Sequence, residues 1–179
     1  SEPFQKLLTQ GMVLADAYYS LDKKSNPEWV NKELVTETDG QFSLADGSAV
    51  MKDGMSKMSK SKLNGVDPTT MIARYGADTV RLYMMFTSPP EQSLEWSDTA
   101  IEGSSRFLKK LWNLTAGRSI YKEEEPSHFT DEELALRQKS HKTLQKVADD
   151  FDRRQSFNTA IAGVMELLNA IPESFKLET

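Results

Sequence analysis

Gly54-Met55-Ser56-Lys57-Met58-Ser59-Lys60-Ser61-Lys62-Leu63-Asn64-Gly65 separates two textures of chain. Lys52, Lys57, Lys60 and Lys62 fall within eleven residues against one acid, Asp53, and a glycine stands at each end of the stretch. Apolar periodicity is absent, which predicts neither a regular helix nor a buried strand. The composition describes a mobile, cationic, hydroxyl-rich loop. Lysine suits a moving phosphate clamp, because its ammonium is a compact charge on a flexible stem. Serine hydroxyls and free backbone N–H groups can donate to phosphate oxygens, and flanking glycines let the loop swing. Composition alone favours a solvated basic loop or a nuclear-localisation-like run.

Upstream, residues 4–10 read as a short helix and Met12–Tyr19 as a strand. Residues 20–54 alternate polar segments with strand-like runs around Asp39-Gly40 and Asp46-Gly47. Asp-Gly between such runs is a hairpin signal, so strands are expected near Leu34–Thr38, Gln41–Leu44 and Ser48–Lys52, with Trp29 as core anchor. Downstream the chain turns helical. Asp67 is a good N-cap and Pro68 suits the first helical position; Gly76 stops that helix after Tyr75. A second helix spans Asp78 to Phe86, ended by Ser88-Pro89-Pro90. A third runs from Ser97 to Ile120. Glu123-Glu124-Glu125-Pro126 is an acidic linker. Thr130 and Glu133 make a capping box for a helix to Phe151, and a last helix starts near Ser156. The expected class is α+β and mainly helical: a small β-rich insert, the loop with connective helices, then the start of an antiparallel helical bundle.

The whole chain of 179 residues is 38% hydrophobic and 27% charged, with net charge −5, no cysteine and two histidines. Disulfides and thiolate metal sites are therefore excluded. His128 and His141 have no carboxylate cluster around them, and no metal site is expected. No apolar run reaches the roughly 18 residues of a membrane span. The acidic balance opposes binding to nucleic acid through global charge, but local basic stripes remain. In the third helix Ile101, Leu108, Leu111 and Trp112 project to one side, and Arg106, Lys109 and Lys110 to the other, with Asn113 between. With Arg118 and Lys122 this forms a basic stripe suited to phosphate contacts, or simply a solvated face. Arg74 and Arg81 are further candidates, whereas Arg153 and Arg154 read as neutralising a helix C-terminus. Trp96 and Trp112 read as core anchors, His141 as a packed histidine near Leu144, and Met84, Met85 and Phe86 as core.

Lys57-Met58-Ser59-Lys60-Ser61 matches without substitution the signature pentapeptide of class I aminoacyl-tRNA synthetases. From average residue usage, a chance match in a chain this long has odds on the order of one in ten thousand. Gly11 through Tyr19, Lys57 through Pro68, Arg74 through Leu82, Ser93-Leu94-Glu95-Trp96 and Arg153 through Ala160 together resemble the bacterial-type leucyl-tRNA synthetases. The resemblance is weakest over residues 20–54, where that family carries a variable leucine-specific insert. It implies that residues 1–19 end a catalytic-domain segment, that 20–54 are such an insert, that 55–96 hold the signature loop and stem-contact-type helices, and that 97–179 are a truncated helical, anticodon-type tRNA-binding bundle.

The resemblance also implies a chemistry. The leucine carboxylate attacks the α-phosphate of ATP, and the aminoacyl group then passes to tRNA(Leu). Lys60 is the main phosphate-binding lysine, Lys57 assists, and Met58, Ser59 and Ser61 shape the loop. Arg106, Lys110, Lys109, Arg74 and Arg81 are the tRNA-binding candidates. ATP is a substrate, and magnesium is expected in the full-length enzyme. The parent is expected to be a cytoplasmic monomer with no membrane partner. The family's His-x-Gly-His motif is missing, since neither histidine sits in that context. The chain opens at Ser1 without methionine and closes just after an apolar helix, so it reads as an internal piece that binds no cofactor and activates no leucine by itself. Two alternatives stay open: a non-enzymatic, synthetase-derived tRNA- or RNA-binding module, and an accidental pentapeptide in a structural helical module.

Overall fold

A computed structural model describes residues 3–4, 7–116 and 128–172. It is α+β and divides into two compact units: Ser1–Ala77 with Pro90–Asp98, and Asp78–Pro89 with Thr99–Thr179.

The first unit is built on a six-stranded sheet: β1 (Val13–Leu21), β2 (Pro27–Val30), β3 (Thr36–Thr38), β4 (Gln41–Ser43), β5 (Ala49–Lys57) and β6 (Leu94–Glu95), with the order β2-β1-β5-β4-β3 and β6 parallel to β1. Alternation along β1 sends Tyr18 and Tyr19 to opposite faces. Tyr18 packs with Val30 and Val50 in the core and meets Phe42 edge-on, ring centroids 5.4 Å apart. Tyr19 meets Trp29 edge-on at 5.9 Å. Trp29 is only half-buried, so the core anchor expected there is Tyr18 instead. Both Asp-Gly hairpins form. Asp39 (φ 52) and Gly40 (φ 77) fill a two-residue turn that needs positive φ at both positions.

Two expectations upstream of the loop change. None of the described residues among 4–10 is helical, and Phe4 and Leu7 stand in solvent. So short a segment cannot hold a helix without a packed face. Gly11 donates its N–H to the Pro90 carbonyl, and a side chain at Gly11 would collide with the Gln92 carbonyl. The second change lies in β5, which runs on to Lys57 where a strand was expected to stop at Lys52. The β1 ladder supplies its partner, from Tyr19↔Met51 to Leu14↔Lys57. The register slips between Ala17↔Gly54 and Tyr18↔Lys52, leaving Asp53 as an unopposed bulge residue. α1 (Pro68–Tyr75) has the expected Asp67 cap, whose carboxylate accepts from the Thr69 and Thr70 N–H groups.

The second unit holds α2 (Ala77–Thr87, from its second residue), α3 (Asp98–Thr115, likewise), α4 (Asp131–Asp149) and α5 (Phe157–Ala170). The Thr130–Glu133 capping box forms as expected. The α4 helix widens into a π turn at Asp150–Arg154, and Gln155 turns left-handed. Gly163 of α5 faces Thr143 of α4, while the Thr159 carbonyl accepts from Lys146, so α4 and α5 run antiparallel. The fully buried Asp150 carboxylate ties this elbow, accepting from Lys146 (2.7 Å), Thr159 (2.8 Å) and Arg154 (3.1 Å). Those bonds, Lys146 first, hold its carboxyl below the usual range against the opposing effect of burial. Arg153 grips Asp149 at 2.6 and 2.8 Å, so both arginines serve in ion pairs with acids one turn back.

Several expected core residues lie elsewhere. Tyr83 and Ile101 are buried, whereas Met84 is exposed and Met85 and Phe86 are half-buried. Trp112 is 70% exposed and Leu144 66%, and His141 is exposed as well. Helical spacing shows which residues share a stripe but not which stripe a neighbour covers. The acidic linker, the extension of the third helix to Ile120, Arg118, Lys122 and the residues after 172 lie outside the described residues.

Candidate active site

The site begins where β5 leaves the sheet. Lys57 is the last strand residue, opposite Leu14. The Met58 N–H donates to the Val13 carbonyl at 3.1 Å, extending the strand contact by one step. The chain then turns sharply. The Ser59 N–H donates to Asn64 Oδ1 at 2.9 Å, the Lys62 N–H to Ser59 Oγ at 3.2 Å, and the Leu63 N–H to the Lys60 carbonyl at 3.4 Å. Ser59 and Ser61 hydroxyls lie 3.2 Å apart. The stretch is thus part strand and part self-bonded turn, where composition had suggested an open loop throughout.

The turn sorts the lysines. Lys52 donates to the Asp16 carboxylate at 2.8 Å across the ladder, and that hydrogen bond raises its pKa. Lys62 donates to Asp53 at 2.9 Å and lies 4.6 Å over the Trp29 ring. The bulge that exposes Asp53 and the half-buried Trp29 therefore share one task, holding Lys62 back against the sheet. Lys57 and Lys60 are exposed, and among the described residues neither ammonium has an ion-pair or hydrogen-bond partner. The Lys60 and Ser61 backbone N–H groups likewise have no acceptor among the described residues. Two exposed ammonium groups near these two N–H groups and two hydroxyls make a surface that phosphate oxygens can accept from.

Asn64 is the residue that reading the sequence missed. It is 4% exposed at the base of the turn. Asn64-Gly65 looks in sequence like turn punctuation, and nothing in the string distinguishes a solvated asparagine from a buried one. Behind it lies a cleft of about 250 Å³ whose lining includes Asp16, Lys32, Arg74, Trp96 and Asp98. Lys32 donates to Asp98 at 2.7 Å and the Trp96 indole N–H does so at 2.9 Å. Burial raises the Asp98 pKa, but these two donors outweigh it and hold the carboxyl below its ordinary value.

The other candidate cations belong to both units. Arg74, on α1 in the first unit, lies 4.8 Å over the Tyr75 ring. Arg81, in the second unit, pairs loosely with Asp78 at 3.8 Å. Arg106, Lys109 and Lys110 form an exposed group on α3, and Lys110 donates to Asn169 Oδ1 at 2.7 Å.

Residues 44–97, which contain β5, the turn and α1, match the family model "tRNA synthetases class I (I, L, M and V)". Similarity to curated proteins extends much further. The chain is 51% identical over 177 residues to a leucine–tRNA ligase of Aeromonas salmonicida, covering 94% of this chain and 21% of that protein. The chain is homologous to leucine–tRNA ligase. A ligase of Marinobacter nauticus is 50% identical over 182 residues, again with 21% of its length covered. The chain therefore spans about a fifth of the length of the leucine–tRNA ligases it matches. Among solved structures, a LeuRS–tRNA–LeuAMS ternary complex from Agrobacterium radiobacter K84 aligns with TM-score 0.56 and 26% identity, over 64% of this chain and 15% of that one. Mycobacterium tuberculosis methionyl-tRNA synthetase bound by methionyl-adenylate aligns with TM-score 0.50 and 27% identity, over 64% of this chain and 24% of that one. No helix of the described residues is long and apolar enough to cross a membrane.

Proposed function

We propose that this chain works as part of a leucine–tRNA ligase, in which its turn at residues 57–63 clamps the phosphates of ATP while leucine is activated. One observation carries the reading: Lys52 and Lys62 are held by Asp16 and Asp53, whereas Lys57 at the end of β5 and Lys60 in the turn have no ion-pair partner among the described residues. In the reaction a leucine carboxylate oxygen bonds to the α-phosphorus as the bond from that phosphorus to the bridging oxygen breaks, and pyrophosphate leaves with the electron pair. Charge grows on the departing phosphates. Lys60, with Lys57 assisting, meets that charge, and the Ser59 and Ser61 hydroxyls and the tip N–H groups orient the oxygens.

The nucleotide, leucine and His-x-Gly-His elements belong in this reading to another part of the ligase. The described residues offer no group of three His, Cys, Asp or Glu side chains suited to a metal, so magnesium is assigned no ligand here and no step runs through it. Residues 20–54 act as a leucine-specific-type insert, and residues 97–179 as part of the helical tRNA(Leu)-binding region. Arg106, Lys109 and Lys110 are the principal phosphate contacts there, and Arg74 and Arg81 are secondary. The ligase acts as a cytoplasmic monomer.

The test is leucine-dependent ATP–pyrophosphate exchange by the full-length ligase that contains this segment. Lys60→Ala should lower turnover by about two to three orders of magnitude, the scale of a lost transition-state contact. Lys52→Ala, which removes a cation already committed to Asp16, should leave turnover near that of the unmodified enzyme. Near-normal turnover in Lys60→Ala would return the turn to the class of solvated basic loops.

A further inference from the structure

Asn64 joins both strands to the start of the turn. Its Oδ1 accepts the Ser59 N–H at 2.9 Å. Its Nδ2 lies 3.2 Å from the Ala15 carbonyl, 3.3 Å from both the Ser56 carbonyl and hydroxyl, and 3.4 Å from the Lys57 carbonyl. A side-chain amide has two hydrogens, so these four acceptors share them. The side chain thus bridges β1, the end of β5 and the turn itself. Ser59, the residue it latches, stands between Lys57 and Lys60.

We propose that Asn64 is a positioning residue that sets where Lys57 and Lys60 present their ammonium groups. The inference rests on the phosphate-clamp reading above. Asn64 is neutral and buried, so it acts through those lysines and does not itself touch phosphate. Without the latch, Ser59 loses its acceptor and the turn its tie to Ala15, while the β1–β5 ladder from Leu14 to Tyr19 keeps its own bonds. Aspartate has nearly the same shape but only acceptor atoms when ionised. It keeps a partner for Ser59 and sets a carboxylate oxygen against the Ala15, Ser56 and Lys57 carbonyls.

The experiment compares Asn64→Ala, Asn64→Asp, Lys60→Ala and the double variant Asn64→Ala/Lys60→Ala in the full-length ligase. Pyrophosphate exchange is expressed per active site, counted by the burst of adenylate formation. Asn64→Ala and Asn64→Asp should each lower kcat about ten- to a hundredfold, the scale on which a misplaced catalytic group is felt, with the leucine KM unchanged. The double variant should be slower than Lys60→Ala by less than the full Asn64→Ala factor, because Asn64 acts in part through Lys60 and residues acting through one another do not add. Losses that multiply in the double variant would overturn the proposal. So would Asn64 variants that lose active sites but keep normal turnover per site, the mark of a merely structural role. If Lys60→Ala is slow and Asn64→Ala normal, this inference alone falls. If Lys60→Ala is itself normal, the clamp reading falls and takes the inference with it.

Discussion

Replacing Arg106 and Lys110 together with alanine should weaken tRNA binding by the full ligase in a way that depends steeply on salt. Both side chains are exposed on α3, one helical turn apart, so they can straddle neighbouring phosphates. Lys110 is hydrogen-bonded to Asn169, but that partner is neutral and leaves the charge intact. Each lost phosphate contact flattens the dependence of log affinity on log salt by about 0.7–0.9, so two contacts remove about 1.4–1.8 from the slope. Across a fourfold change, from about 50 to about 200 mM salt, the mutant's deficit should shrink by about seven- to twelvefold. Titrations of tRNA at several salt concentrations measure this, with pyrophosphate exchange run alongside and expected to be unchanged. Unaltered affinity and slope would assign this face to solvent. An affinity loss that is the same at every salt concentration would attribute the effect to packing, and the phosphate argument would fail.

Two further outcomes follow from the packing. Ile101 is fully buried, so Ile101→Ala should cost about 2–5 kcal/mol in urea unfolding of the 179-residue chain; a loss under about 1 kcal/mol would mean the site collapses around the gap. Asp98 has a depressed carboxyl pKa, so its contribution is present above the unfolded-state value near ~3.9 and fades as pH falls through the lower folded value. Its side chain is 54% exposed, and screening keeps that contribution below about 1 kcal/mol. Asp98→Asn should therefore narrow the gap between urea midpoints at about pH 6 and pH 3, and an unchanged gap would show that Lys32 and Trp96 do not stabilise the charged form.

The two textures on either side of Gly54–Gly65 were legible because they rest on local signals. The Asp39-Gly40 turn, the Asp67 cap with Pro68, the stop at Gly76 and the Thr130–Glu133 box depend on residues within a few positions of one another. Family-level resemblance was legible for a different reason, since the pentapeptide and its flanking blocks are strings that can be matched directly. The apolar side of α3 was less secure. Ile101 does lie in a core, but Trp112 from the same stripe faces solvent. A stripe identifies a face, and only a neighbour can bury it.

The sequence by itself determined the helices from Pro68 onward, the caps and hairpin turns, and the cationic hydroxyl-rich character of the stretch around Lys57–Ser61. What composition left equal were the four lysines, and nothing in the string marked Asn64. Partners distant along the chain decided among them: Asp16 on β1 takes Lys52, and Trp29 on β2 together with the bulged Asp53 takes Lys62. Asn64 is buried by reaching the Ala15 carbonyl, 49 positions back. Local patterning reports periods and turns, whereas a charge becomes free or committed only when strand pairing sets it beside another, and that pairing is a property of the folded sheet.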